Sequence, residues 1–201
     1  FSWRARGNAM AFSDQLGDKP DIDLVLATSV TDLATLKGLA PQLSQIPSLV
    51  YFHENQFAFP IQVDGSRLLE AQLTSIYTAM SADRLIFNSE FNRRTFFEGA
   101  HALLARFPDG VPSSLVSQLT TKSLVLPVPL DDALFAGNHL ASTRDIVWNH
   151  RWEFDKGPER LLAVVQEIVR RVPEGKVHLV GQQFRQIPEA MTAALALLER
   201  H

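Results

Sequence analysis

The sequence predicts an α/β fold in which helices cover both faces of parallel β-sheets. Short apolar runs, each the length of a buried strand, alternate along the chain with amphipathic stretches of helical repeat. Strands and helices that alternate in this way form parallel sheets with helices on both faces. The alternation stops in a stretch without periodicity at 127–144 and then begins again, which indicates a second α/β unit.

Each predicted element is delimited by residues that favour a start or a stop. Gly17 ends the first helix, Gly38 and Pro41 close the second, and Ser89 with Asn88 opens the fourth. Pro158 suits the first position of the helix that follows it. In chain order, the prediction is helix 3–16, strand 22–27, helix 31–37, strand 49–52, helix 66–81, strand 85–87, a helix after Ser89, strand 123–126, strand 145–148, helix 158–172, strand 177–180 and helix 188–200.

These elements divide the chain into a domain over 1–140 and the beginning of another over 144–201. The chain begins at Phe1 without an initiator methionine and ends at His201, both inside predicted helices. We therefore expect it to be an internal piece of a longer protein.

Composition excludes several classes of protein. The 201 residues are 46% hydrophobic and 20% charged, which is typical of a globular domain and not of disorder. There are no cysteines, so disulfide scaffolds and cysteine–zinc sites are excluded, and a cytoplasmic location is expected. No apolar run approaches the roughly 20 residues of a membrane-spanning helix. With a net charge of −3, any contact with nucleic acid must come from a local basic patch.

The segment 148–158 is a candidate anion site. It joins a strand to a helix, and ligands of open α/β sheets gather at the carboxyl ends of strands, where helix N-termini attract anions. Arg151 and Lys156 lie in this turn and could clamp a diphosphate. The alternative is that they pair on the surface with Glu153 and Asp155.

A second candidate follows the strand 49–52. His53, Glu54 and Asn55 are hydrogen-bonding side chains that suit a ligand rich in hydroxyl groups, although an ordinary turn has the same composition. Asn88 has the same placement after the next strand. Near the start, Trp3 lies between Arg4 and Arg6, a pattern that could stack on a nucleobase or pack a helix on the sheet.

Three motifs, in order over nearly the whole chain, resemble the tRNA-queuosine α-mannosyltransferase family. The first is Tyr51–Phe52–His53–Glu54–Asn55–Gln56 with Pro60, and the second is Phe87–Asn88–Ser89 with Phe91–Asn92 and Phe96. The third is Trp148–Asn149–His150–Arg151–Trp152–Glu153 with Asp155–Lys156 and Pro158. The opening Trp3–Arg4–Ala5–Arg6–Gly7 resembles the same family.

The resemblance implies a retaining glycosyltransferase with two facing Rossmann-like domains (the GT-B type). It implies a GDP-mannose donor held by the C-terminal domain and, as acceptor, the queuosine base of a tRNA anticodon held by the N-terminal domain. Arg151 and Lys156 would bind the donor diphosphate, Gly181 is assigned to the donor side, and no metal would be needed. His53, with Glu54 and Asn55, would contact the transferred sugar. The acceptor side is assigned to Trp3, Arg4, Arg6 and Asn88, and Arg93 and Arg94 are expected to extend it as a basic rim.

Asp21–Ile22–Asp23 matches the Asp-x-Asp pattern of metal-dependent glycosyltransferases, but it precedes a strand and so belongs to the wrong edge of the sheet. The six histidines lack metal-ligand spacing. The family's first strand with its glycine-rich turn would lie before Phe1, and its donor-gripping acidic residues beyond His201, so we expect this piece to be inactive alone. Two alternatives stay open: a GT-B enzyme acting on lipid or polysaccharide, and a non-catalytic nucleotide- or RNA-binding module. No stable membrane association is expected.

Overall fold

The computed structural model describes residues 2–17, 21–58, 65–136, 145–172, 174–183 and 186–200, with the side chains of 2–6 and 65–67 excepted. The chain divides into two units, Phe1–Leu130 and Asp131–His201. No helix in these ranges is both long and apolar enough to cross a membrane.

The first unit contains a four-stranded parallel sheet, as predicted. The strands are paired in chain order, β1-β2-β3-β4. The strands are β1 (Val25–Thr28), β2 (Ser48–Phe52), β3 (Arg84–Phe87) and β4 (Ser123–Val125); the helices are α1 (Ser2–Leu16), α2 (Leu33–Leu39), α3 (Gly65–Ser81), α4 (Glu90–Leu104) and α5 (Leu115–Thr121).

Both ends of α2 differ from the prediction, for local reasons. The second helix begins after Asp32, because that side chain accepts a hydrogen bond from the Thr35 backbone N–H and caps the helix. Gly38 and Pro41 were expected to close this helix; Gly38 lies inside it, and the helix ends ahead of Pro41 as expected. The helix α5 was not predicted.

The buried core of the first unit lies on one face of the sheet. Ala27, Val50 and Leu85 share that face and are buried, whereas Leu26 and Leu124 on the opposite face are 68% and 45% exposed. This differs from the expected cover on both faces. Strands paired in consecutive order place every connecting helix on the same side of the sheet when their crossovers have the usual right-handed sense.

An aromatic cluster fixes α4 against the carboxyl ends of β2 and β3. The rings of Phe52 and Phe87 stack at 4.7 Å, and Phe96 of α4 lies within 5.5 Å of both. Phe97 packs edge-on to Phe96 and Phe87. Aromatic pairs in such geometries contribute beyond their buried area, so the start of α4 is held firmly at this edge of the sheet.

A polar network closes the opposite, amino edge. Asp83 accepts hydrogen bonds from the backbone N–H and the hydroxyl of Ser48, both at 2.7 Å, and these bonds lower the pKa of the Asp83 carboxyl. Lys37 donates to the Ser81 carbonyl, and Lys122 donates to the Met80 carbonyl, at the C-terminus of α3. Burial lowers the pKa of Lys122. Cations at a helix C-terminus offset its partial negative charge, so this edge has a structural role.

The second unit confirms the predicted strand–helix–strand–helix order. Its strands β5 (Asp145–Asn149) and β6 (Lys176–Val180) are parallel, and its helices are α6 (Pro158–Arg171) and α7 (Glu189–Leu198). Pro158 occupies the first turn of α6, directly after Gly157, which has a left-handed conformation with φ 70°. The core is formed mainly by Leu161, Val165, Met191 and Ala194.

Candidate functional site

His53 and Asn88 lie side by side at the carboxyl edge of the four-stranded sheet. Phe52 and Phe87 are paired as the last residues of β2 and β3, so the residues that follow them leave the sheet together. The Asn88 side-chain amide donates a hydrogen bond of 2.8 Å to the His53 carbonyl. The strand assignments predicted that both residues lie at this edge, because parallel strands end at the same edge. That they are neighbours follows from the pairing of β2 with β3.

The side chains of His53 and Glu54 are accessible at this edge. His53 is exposed and Glu54 is partly exposed. In the described part of the chain, no hydrogen bond or ion pair engages the imidazole or the carboxylate. An imidazole can donate and accept, and a carboxylate accepts, so the pair can bind the hydroxyl groups of a sugar.

Asn55 lies beneath this surface instead of on it. It is 6% exposed, and its Nδ2 donates to the Asn92 side-chain oxygen at 2.5 Å and lies 3.1 Å from the Thr95 hydroxyl. Its Oδ1 accepts hydrogen bonds from the backbone N–H groups of Phe57 and Ala58, at 2.9 and 3.1 Å. Both ends of the Asn55 amide are therefore engaged within the protein.

In the second unit, the segment of the candidate anion site first continues the pairing between the ends of β5 and β6 and then leads into α6. The His150 N–H donates to the Val180 carbonyl, and the Trp152 N–H donates to the Gln182 carbonyl. The chain then forms a single turn of 3-10 helix over Phe154–Lys156 before Gly157 leads into α6.

The two cations of this turn pair with neighbouring carboxylates. Arg151 lies 3.2 Å from Glu153, and Lys156 lies 2.7 Å from Asp155. The Arg151 side chain is 53% exposed and that of Lys156 is 30% exposed. This is the pairing that the sequence left open as the alternative to a diphosphate clamp. The Arg151–Glu153 pair, whose arginine is more than half exposed, is worth only about 0–1 kcal/mol, so an anion of higher charge can replace Glu153 there. The Asp155 carboxylate is only 12% exposed, so its pair with Lys156 is more shielded from solvent.

Gly181 has a structural reason to be glycine. A Cβ atom at this position would lie 1.8 Å from the His150 carbonyl oxygen. The backbone φ of 155° also lies in a region that side chains disfavour. Gly181 thus allows β6 to pass directly against the turn that carries Arg151, whether or not it touches a ligand.

The arginines expected to form a basic rim are engaged with other residues of the first unit. Arg93 donates to the Ser123 hydroxyl at 2.9 Å and pairs with Glu90. Arg94 pairs with Glu98 at 3.1 Å, and its guanidinium lies 5.7 Å from the centre of the exposed Phe91 ring. The side chains of Trp3, Arg4 and Arg6 lie outside the described residues, although the backbone of all three belongs to α1.

Asp21 and Asp23 are exposed and precede β1, at the amino edge of the sheet, as predicted. Within the described ranges, no three acidic or histidine side chains are grouped as metal ligands.

Two residues of α4 that the sequence analysis did not assign to a site support the carboxyl edge. Asn92 contacts both Asn55 and Asn88. Gly99 lies in the middle of α4, where a Cβ would come within 2.5 Å of the Phe57 Cβ. Both left a signal in the sequence: Asn92 follows Asn88 at the four-residue spacing of helix neighbours, and a glycine inside a helix usually has a packing reason.

Comparison with known proteins gives the same family as the motifs. The family model described as "tRNA-queuosine alpha-mannosyltransferase N-terminal" matches residues 1–130, the extent of the first unit. The chain is 31% identical over 198 residues to the tRNA-queuosine alpha-mannosyltransferase of Drosophila melanogaster, in an alignment that covers 93% of this chain and 52% of the relative. The chain thus spans about half the length of that curated relative. On both comparisons, the chain belongs to the tRNA-queuosine alpha-mannosyltransferase family.

Proposed function

We propose that this chain is part of a cytoplasmic glycosyltransferase of the GT-B type that transfers mannose from GDP-mannose to the queuosine base of tRNA, with retention of configuration. The observation that carries the proposal is the accessible His53 imidazole beside Glu54 at the carboxyl edge of the sheet, in a chain of this family. The name of the Drosophila relative supports the sugar and the acceptor.

In this proposal the first unit handles the sugar and the acceptor. His53 and Glu54 hydrogen-bond hydroxyl groups of the transferred mannose and hold its anomeric carbon for attack. Orienting two reactants in this way removes a large part of the barrier to reaction. Trp3, Arg4 and Arg6 on α1, together with Asn88, are assigned to the acceptor tRNA.

The second unit handles the departing diphosphate. Negative charge grows on GDP as its bond to mannose breaks, and Arg151 and Lys156 stabilise that charge most strongly at this stage. Their present partners, Glu153 and Asp155, carry one charge each, whereas a diphosphate carries more than one and offers several anionic oxygens to the two cations. The proposal assigns no metal to this step.

Mass spectrometry of tRNA nucleosides tests the reaction directly. Full-length enzyme is incubated with queuosine-containing tRNA and either GDP-mannose, UDP-mannose or GDP-glucose. We expect a hexose to be added to queuosine from GDP-mannose alone, and the anomeric proton–carbon coupling of the isolated nucleoside should indicate an α linkage. No added hexose from GDP-mannose, or equal addition from UDP-mannose, would refute the proposed donor.

A matched pair of variants tests the diphosphate clamp. Arg151→Ala and Arg170→Ala each remove an arginine from the second unit that is more than half exposed and paired with a glutamate. A lost charge-assisted contact at a reacting group lowers turnover by about 100- to 1000-fold, and we expect that loss for Arg151→Ala only. If the two variants have the same kcat/KM, Arg151 does not bind the donor.

A further inference from the structure

Three asparagines connect the ends of β2 and β3 with the start of α4. Asn92 is central: its Nδ2 donates to the Phe52 carbonyl at 2.8 Å and to the Asn88 side-chain oxygen at 2.9 Å. Its own side-chain oxygen accepts from Asn55. Asn88 in turn donates to the His53 carbonyl. The backbone carbonyls of Phe52 and His53 therefore each accept a hydrogen bond from a side-chain amide. We call the three asparagines Asn55, Asn88 and Asn92 the amide network.

The central amide is fully engaged. An asparagine side chain has two N–H donors and one carbonyl oxygen, and both donors and the oxygen of Asn92 have partners in the protein. Asn92 is 5% exposed. Its backbone N–H donates to the hydroxyl of Ser89, which caps α4. Asn92 has no polar group left for a substrate, so its contribution must come through the residues it holds.

The segment after His53 is fixed to α4 by packing as well. Asn55 accepts from two backbone N–H groups of that segment, as described above. The Phe57 ring lies edge-on to Phe96 at 5.5 Å, and its Cβ lies where a side chain at position 99 would be. His53 and Glu54 are therefore a short exposed arch with one end held by Asn88 and Asn92 and the other by Asn55 and Phe57.

We infer that Asn92 is a positioning residue: through the amide network it sets the backbone of His53 and Glu54 and thereby the direction of their side chains. In the same arrangement, Asn55 and Asn88 act on the sugar site through His53 and not by direct contact with the sugar. The expected effect of Asn92 on turnover rests on the proposed function, whereas its effect on the direction of the His53 and Glu54 side chains does not. A displacement of about 1 Å at a reacting group can cost a factor of about 100 in rate.

Two substitutions of Asn92 separate the effect of its side-chain shape from the effect of its hydrogen bonds. Asn92→Ala removes the whole amide. Asn92→Asp keeps its shape and an acceptor for Asn55 but replaces both N–H donors with an oxygen that faces the Phe52 carbonyl and the Asn88 side-chain oxygen. The probe is the His53 imidazole signal of the full-length protein labelled with 13C in its histidines, assigned with His53→Gln. We expect this signal to shift in both variants.

Ser48→Ala is the control for a general loss of stability. Ser48 is 2% exposed and also lies in β2, but its hydroxyl bonds to Asp83 and Lys37 at the amino edge. We expect it to lower the melting temperature while leaving the His53 signal and kcat unchanged. Should both Asn92 variants fail to fold, Asn88→Asp serves, because Asn88 is partly exposed and the change removes the donor to the His53 carbonyl while keeping the acceptor for Asn92.

The readouts distinguish the inference from the proposed function. A shifted His53 signal with kcat about 10- to 100-fold lower and KM within about twofold supports both. A shifted signal with normal kcat supports positioning but removes His53 from the transfer step. An unshifted His53 signal in a folded Asn92→Ala or Asn92→Asp protein overturns the inference, whatever the activity.

Discussion

Replacing Gly99 by alanine tests how tightly the segment after His53 packs on α4. Alanine in the middle of a helix is normally more stable than glycine by about 1 kcal/mol. At Gly99, however, the new Cβ would lie 2.5 Å from the Phe57 Cβ and 2.6 Å from its ring. The Phe57 Cβ is attached to the backbone, so rotation of the ring cannot relieve the contact, and the segment itself must retreat. Overpacking of this kind costs about 1–3 kcal/mol, which leaves a net loss of about 1 kcal/mol.

Gly38→Ala is the matched control. Gly38 also lies inside a helix, but a Cβ there would meet no atom within 4 Å. We expect this change to raise the free energy of unfolding by about 0.5–1 kcal/mol, the ordinary gain of alanine over glycine. The two variants should therefore move the stability of the same unit in opposite directions.

Both variants are measured in the full-length protein, by urea denaturation followed through hydrogen exchange of α4 amides. This readout isolates the first unit, since a protein of two units need not unfold in one step. If Gly99→Ala is stabilised as much as Gly38→Ala, the close packing of Phe57 on α4 is wrong. The anchoring of the His53–Glu54 arch at that end would then be wrong as well.

Three further predictions concern stability. Gly181→Ala places a Cβ 1.8 Å from the His150 carbonyl oxygen, so we expect it to lower the melting temperature of the second unit and to reduce turnover, which differential scanning calorimetry and the nucleoside assay measure. Ser89→Ala removes a capping hydrogen bond and should cost about 1 kcal/mol in urea denaturation. Ser114→Ala should cost much less, because Ser114 makes no capping bond. The lowered pKa of Asp83 stabilises the fold at pH values above its ordinary value of 3.8, and this contribution disappears as pH falls through the lower folded value. The destabilisation caused by Asp83→Asn should therefore be present at neutral pH and shrink toward pH 3, and a constant difference would contradict the assignment.

Features that depend on neighbours in the chain could be predicted from the sequence. The cap of α4 at Ser89 and the position of Pro158 at the start of α6 follow from local backbone chemistry. The placement of His53 and Asn88 at the carboxyl edge follows from their positions directly after parallel strands, whereas the pairing of those two strands is a finding of the structure. The family motifs identified the same family as the comparisons.

Features that depend on distant contacts could not be predicted. Arg151 and Lys156 have acidic neighbours and a nearby helix start, and charge pattern alone does not decide between pairing and ligand binding. The one-sided core could not be foreseen either, because apolar runs predict burial without saying in which order the strands pair. Asn55 was assigned to the sugar by its position in a motif, yet it is buried.

The sequence by itself determined that this chain alternates strands and helices and that its histidine motif lies at the carboxyl edge of a sheet. Only the tertiary structure decided which side chains at that edge face outward. Asn55 meets Asn92 across 37 residues of sequence, and Gly181 meets His150 across neighbouring strands. Such contacts arise because the packed core fixes the distance between segments, and no local pattern of residue types contains that distance.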